Sequence, residues 1–418
     1  MPPLSTTGLL DFLFLTGSQA EPILSEFSSL PSDEKRSARP QTATSPTVII
    51  TPIRTTQVTQ ILALTHVLGA TFSIRSGGHL QNPGFNSNDG GVVISFCKGD
   101  FTQLVLSEDK KTVDIGVGLR WVDVYEKLDE HGLNVAGGRE PRVGVAGLLL
   151  GGGLSYQCNE VGVGCMGVVD YERLQNTAFL SALMTYHTLI EGNNKTSLIY
   201  HTVNDRTFVT FTYTGPVEDG HPNIFKPFQH IPYMRYLVPS ARRTVSEMTK
   251  GVADVLESKK MFHETRPTTT LPDLEVYHVA EQARLEAIAS LADVDRADLT
   301  MVFQPMSSLS VKVAHDRGGN PFGLECVGHQ IFLILADYTN PADASRIQAA
   351  MHRVVDTVEE TAKKKGSYLP FEYANYAAPD QDPLASYGEE NLSTLREIAE
   401  KYDPEGVFQV LQNLPGPG

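Results

Sequence analysis

Residues 72–85 read FSIRSGGHLQNPGF, a strand-like run that ends in Arg75, Ser76, Gly77 and Gly78 and sets His79 at the tip of the turn. Adjacent glycines let the backbone take positive φ and approach another body closely. Successive backbone N–H groups in such a turn form a concavity suited to an anion such as a phosphate, and a pocket-facing imidazole is a competent nucleophile. A second cluster is NVAGGREPRVGVAGLLLGGGLSY, residues 134–156, with seven glycines, among them Gly138, Gly144, Gly147, Gly152 and Gly153, around Arg139, Glu140 and Arg142. That density suits backbone lying against a large planar or phosphorylated ligand, or a sharp chain reversal. A third is Glu372-Tyr373-Ala374-Asn375-Tyr376, a carboxylate, two phenols and a carboxamide. Each has a plain structural reading as well: a tight turn with a solvated histidine, a loop, and two tyrosines packing a core.

The elements that must position these groups alternate. TVIITP is β-rich and ends at a proline, and TTQVTQILALTHVLGA has helical spacing behind a threonine cap. GVVISF is a second strand, and KTVDIGVGLRWVDVYEKLDEHG passes from strand to helix and stops at Gly132. Beyond residue 175 the pattern changes. LIYHTV, RTFVTFTYTG and HQIFLILADY read as strands of an antiparallel sheet, and residues 242–260 and 342–365 as amphipathic helices that cover it. The fold class is α+β. The expected organisation is a lead-in over 1–44, a first domain over 45–175, a substrate-binding domain over 176–365, and a segment 366–418 that returns to the first domain.

With 418 residues, 41% of them hydrophobic and 20% charged, the chain is long enough for two or three lobes of a folded protein. A net charge of −15 argues against nucleic acid and anionic membranes, both of which need basic surface. No apolar run has the length of a membrane span. The first twenty residues hold a short apolar run, but Asp11 interrupts it and no basic leader precedes it. They give a secretory signal little support, and secreted and cytoplasmic locations both stay open. Cys97, Cys158, Cys165 and Cys326 lack metal-like spacing and are expected to be buried free thiols. No metal is expected.

Taken together, the pieces resemble the berberine-bridge-enzyme-like family of FAD-linked oxidoreductases, with its vanillyl-alcohol-oxidase (PCMH) type of FAD-binding domain. The resemblance rests on Arg75 to His79, the following Asp89-Gly-Gly, Gly137 to Gly144 running into Leu150-Gly-Gly-Gly153, GGNPFG at 318–323, Glu372 to Tyr376, and Tyr402 to Gln409. It covers most of the chain from about residue 45 onward, in the family's order. It implies that residues 75–80 lie along the FAD pyrophosphate, that His79 is covalently attached to the flavin, and that Asn375 contacts the flavin. Arg75, Ser76, Gly77, Gly78, Gly138, Gly144, Gly147, Gly152 and Gly153 complete the implied cofactor-binding set. It further implies oxidation of a small organic alcohol, sugar or secondary metabolite by hydride transfer, with dioxygen as acceptor and Tyr376 as base. A phenol ordinarily titrates near ~10 and is a poor base at neutral pH, so Tyr376 would need a positive neighbour or a strong hydrogen bond. The sequence does not show one.

Three departures accompany the resemblance. Glu140 stands where many members carry a cysteine that makes a second bond to the flavin. Met166 and Gly167 replace an Asp-Asn pair. Several dozen residues that carry two strands and a covering helix are missing after residue 174, and a shortened sheet would expose edges that must be satisfied elsewhere. Two alternatives therefore stand beside the oxidoreductase. One is a flavin-free isomerase or cyclase on the same fold with Glu140 as general acid, since burial favours a protonated glutamate. The other is a degenerate, non-catalytic paralogue.

Overall fold

A computed structural model describes residues 46–156, 164–204, 206–215, 222–255 and 261–412. The lead-in 1–44, Cys158, residues 161–163 and the tail past Gln412 lie outside them. The chain divides into two compact units: one holds the described residues up to Lys127, Arg142–Leu150 and the residues from Arg396 on, and the other holds Leu128–Pro141 and Gly151–Leu395.

In the first unit, β1 (Val48–Ile50), β2 (Phe72–Arg75) and β3 (Val92–Ser95) form a parallel sheet in the order β1-β3-β2. The central strand is Val-Val-Ile-Ser and is buried throughout, as a parallel strand covered on both faces must be. Helix α1 (Thr55–Leu68) connects β1 to β2 and ends at Gly69, which adopts a φ of 60°. Its N-cap is Arg54, one residue before the threonine the sequence suggested. Gln57 supplies the capping oxygen, accepting from the backbone N–H of Ile53 at 2.7 Å and of Arg54 at 3.3 Å, so the carboxamide replaces a hydroxyl cap. A hairpin of β4 (Leu104–Leu106) and β5 (Val113–Ile115) and helix α2 (Trp121–Asp129) follow. The glycine-rich stretch is not loop throughout, because Val145–Leu150, where leucine and alanine outnumber glycine, forms the short helix α3. The core is Ile50, Ile61, Phe72, Val92 and Ile94, closed by Val407, Phe408 and Leu411 from the end of the chain. The Phe72 and Phe408 rings meet edge to face at 5.7 Å.

The second unit is built on an eight-stranded antiparallel sheet in the order β13-β10-β12-β11-β7-β8-β6-β9. Its strands are β6 (Gly164–Glu172), β7 (Thr196–Thr202), β8 (Arg206–Tyr213), β9 (Arg235–Arg243), β10 (Phe262–Thr270), β11 (Asp298–Met306), β12 (His329–Tyr338) and β13 (Tyr368–Leu369). Helices α4 (Asn176–Ile190), α6 (Leu274–Ala289) and α8 (Ala344–Lys365) pack their apolar sides onto it through Leu183, Val276, Val354 and Val358, all fully buried. Arg284 of α6 is also fully buried; it holds Glu281 through Nε and Nη2 at 2.8 and 2.7 Å and donates to the Leu299 carbonyl at 3.0 Å. Thr202 donates to the same carboxylate at 2.8 Å.

Two expectations are corrected here. The helix expected from residue 242 begins at Val245 as α5 (Val245–Val255), because Arg242 and Arg243 pair with Cys165 and Gly164 across β9 and β6. Of the cysteines, Cys97 is half-buried and Cys326 is exposed; Cys326 sits in the loop before β12, where its thiol reaches only the Ser308 carbonyl at 3.6 Å.

β6 lies in the large sheet between β8 and β9. Met166 and Gly167 are therefore strand positions, with Met166 buried and Gly167 at a register shift against β9. Among the described residues the outer neighbour β9 pairs only with β6. It carries Pro239 and three arginines, the composition of a strand kept from further pairing.

Candidate active site

The first unit contributes the turn after β2. Ser76 Oγ donates to the Val117 carbonyl at 2.6 Å, Arg75 Nε to the Asn86 carbonyl at 2.9 Å, and Arg120 Nη2 to the Gly77 carbonyl at 3.2 Å. A Cβ on Gly77 would lie 2.5 Å from Gly144 Cα and N, so these two glycines are spent on backbone-to-backbone contact. The other glycines behave differently. Gly78 has a φ of 66°, and a Cβ there would meet only the flexible Arg75 side chain at 3.5 Å; at Gly147 it would enter open space. The open faces at Gly78 and Gly147 leave room for a group lying against the backbone, as a bound dinucleotide requires. His79, next to Gly78, is half-buried.

The second unit contributes a polar cluster drawn from three distant segments. Arg139 Nη2 donates to Tyr376 Oη at 2.7 Å and to Gln304 Oε1 at 2.5 Å, and Tyr376 Oη stands 3.4 Å from the same Gln304 oxygen. Gln304 comes from β11 and is 2% exposed. The positive neighbour that a phenolic base needs is thus Arg139, 237 residues away in sequence. Tyr376 lies on the 3-10 turn Ala374–Tyr376. Tyr373 is core: it is buried, meets the Tyr376 ring edge to face at 4.7 Å, and accepts from Asn375 Nδ2 at 2.9 Å. Asn375 packs directly against Gly151, where any side chain would clash with its carboxamide, and Gly152 (φ 98°) gives way to the Phe322 ring. Gly153 continues the same left-handed bend at 64°. Gly138 is buried and Glu140 half-buried.

The Arg139 charge reaches further. Burial, and then that charge, hold the His201 imidazole down at about 3. Burial pushes the Tyr156 phenol well up, with Arg139 opposing the rise and Tyr376 and Glu140 adding to it.

Sequence reasoning picked out Tyr376 and Asn375 but missed Gln304 and Tyr156, and it gave Arg139 no role beyond its place in the glycine-rich segment. Gln304 left one signal, a lone carboxamide inside the apolar strand DLTMVFQPM, where a buried polar group demands a partner.

Residues 46–177 match the family model described as an FAD binding domain, and residues 372–415 match the one described as berberine and berberine like. An FAD-dependent monooxygenase of Arthrobotrys oligospora is 30% identical over 423 residues, covering 88% of this chain and 81% of the relative. The FAD-dependent monooxygenase yanF of Aspergillus niger is 29% identical over 429 residues, covering 87% and 72%. Among solved structures, glucooligosaccharide oxidase from Acremonium strictum, described with a 6-S-cysteinyl, 8α-N1-histidyl FAD, superposes with a TM-score of 0.72 at 16% identity over 94% of this chain and 97% of the other. That likeness shows the shared fold. The flavin-free alternative finds no support in these relationships. The chain is an FAD-linked oxidoreductase and belongs to the berberine-bridge-enzyme-like family.

Proposed function

We propose that the protein oxidises a small organic hydroxyl compound, an alcohol, sugar or secondary metabolite, with Tyr376 as the base and dioxygen as the final acceptor. The observation that carries this reading is the 2.7 Å bond from Arg139 to Tyr376 Oη. A guanidinium aimed at a phenol oxygen is a charged donor that holds that oxygen in a fixed direction. Tyr376 takes the substrate hydroxyl proton, and Arg139 with Gln304 fixes the direction from which the phenol oxygen approaches. FAD, when bound, supplies the hydride acceptor. In the first unit Arg75, Ser76, Gly77, Gly78, Gly144 and Gly147 cradle it, and His79 is its point of covalent attachment. In the second unit Gly138, Gly152, Gly153 and Asn375 contact it. Glu140 cannot form the thioether that a cysteine would, so attachment is single. The flavin-binding region spans 45–175 with the returning segment 366–418, and 176–365 binds the substrate. Among the described residues no helix is long and apolar enough to cross a membrane.

A visible absorption spectrum of the purified protein, repeated after acid precipitation, tests the attachment. Yellow colour should stay with the pellet and move to the supernatant in His79→Ala; colour already in the wild-type supernatant would refute a covalent link. Tyr376→Phe should retain the flavin and slow its anaerobic reduction by substrate about 10²–10⁴-fold, the usual worth of a positioned base. An unchanged rate would remove Tyr376 from the chemistry.

A further inference from the structure

Behind the Arg139–Gln304 pair lies a cavity of about 20 Å³ whose polar lining is Arg139, Ser155, Tyr156, Thr196, Ser197, Gln304 and Ser307. Two residues of its lining each carry a buried group with no hydrogen-bond partner among the described residues, Tyr156 Oη and Gln304 Nε2. Their residues are 4% and 2% exposed. A buried polar group without a partner is costly, and two of them on one small cavity call for a shared ligand. Such a space needs roughly 10–15 Å³ to admit one water, which then bonds two to four polar neighbours. The cavity meets both conditions.

The orientation of Gln304 follows from chemistry alone. Arginine only donates, so the atom 2.5 Å from Arg139 Nη2 is the carboxamide oxygen. Nε2 is therefore left as a donor in need of an acceptor, and the Tyr156 phenol can both donate and accept.

We propose that this niche binds one water molecule, held between Gln304 Nε2 and Tyr156 Oη, and that Tyr156 acts through it as a positioning residue for Tyr376. The water accepts from Nε2, which pins the carboxamide with its oxygen toward Arg139 and Tyr376. Rotated by half a turn, Gln304 would aim an N–H at Arg139 and offer a competing donor to Tyr376. Tyr156 thus fixes which end of the Gln304 carboxamide Tyr376 meets, without touching it. The consequence for turnover rests on Tyr376 as base; the water itself does not.

Three measurements separate the outcomes. A crystal structure of the wild-type protein should show one density peak ~2.7–3.2 Å from Tyr156 Oη and Gln304 Nε2. No peak, or anomalous scattering from bromide soaked into the niche, overturns the water. Tyr156→Phe should lower the melting temperature, because it strips the water of a partner. If the niche is dry, the change removes an unpaired hydroxyl and the melting temperature holds or rises. Finally, the ¹³Cζ signal of Tyr376, assigned by its loss in Tyr376→Phe, is compared between wild type and Tyr156→Phe. Its chemical shift should move, because the hydrogen bond at the phenol oxygen changes when Gln304 is no longer pinned. A lowered melting temperature with an unmoved Tyr376 signal leaves a structural water and overturns the positioning role. None of these readouts depends on turnover, so a failed base at Tyr376 is told apart from a failed niche.

Discussion

The turn at Arg75–His79 and the cluster at Arg139, Gln304 and Tyr376 solve the same problem, holding reactive groups still, by opposite means. The turn is made of backbone: Gly77 lies on Gly144 with no room for a Cβ, and side chains mainly brace carbonyls. The cluster is made of side chains on segments up to 237 residues apart, joined by one guanidinium. Backbone construction depends on fit and is indifferent to charge. Side-chain construction depends on buried polar groups finding their partners, and the same habit runs through the second unit at Glu281–Arg284.

Perturbations of each kind should therefore do different damage. The largest loss is expected at Arg284→Met, which leaves the Glu281 charge buried with only Thr202 to hold it. Breaking such a pair costs ~3–5 kcal/mol, whereas replacing both partners with apolar residues costs far less. Denaturant midpoints of the single and double variants check this, and equal losses would deny the pair its role. Next comes Gly144→Ala, whose added methyl must push the two facing backbones apart. Overpacking of this kind costs ~1–3 kcal/mol, and because the turn it displaces is the proposed cradle, flavin retention should fall with it. A variant as stable and as yellow as wild type would show that the Gly77–Gly144 contact is dispensable.

A third perturbation is acid. Burial chiefly holds His187 down at about 4 and His201 at about 3, against an ordinary value of ~6.5. Below ~6.5 the unfolded chain takes up protons that the folded imidazoles refuse. Stability is full above that pH and declines as it falls toward about 4, by ~1.4 kcal/mol per pH unit per histidine. His187→Gln should flatten the drop between pH 6.5 and 4.5 relative to wild type. Equal slopes would mean that His187 is already protonated in the fold.

The same contrast explains what could be read from the sequence. Glycine patterns announce backbone constraints locally, so the turn at residues 75–79 and the glycine-rich segment stood out. Runs such as HQIFLILADY and the helix ending in Lys363-Lys364-Lys365 declare their periods over ten residues or more. Arg139 meets Tyr376 only because β11 and the 3-10 turn bring it there, and no local pattern encodes that meeting. Likewise, Gly164–Glu172 became a strand of the large sheet because β8 and β9 offered it two edges, a tertiary reward that overrides the poor strand propensity of its glycines.

The Phe72–Phe408 contact has a consequence for how the protein is made. The first unit begins before the second, yet its core lacks Val407, Phe408 and Leu411 until the whole of the second unit has left the ribosome. The second unit, apart from its short piece at Leu128–Pro141, is one continuous stretch ending at Leu395. Synthesis from the N-terminus ordinarily favours the leading domain. Here the order is reversed: the later-encoded unit completes its core first, while the earlier one waits with Phe72 uncovered, open to chaperones and proteases until Val407, Phe408 and Leu411 have been made.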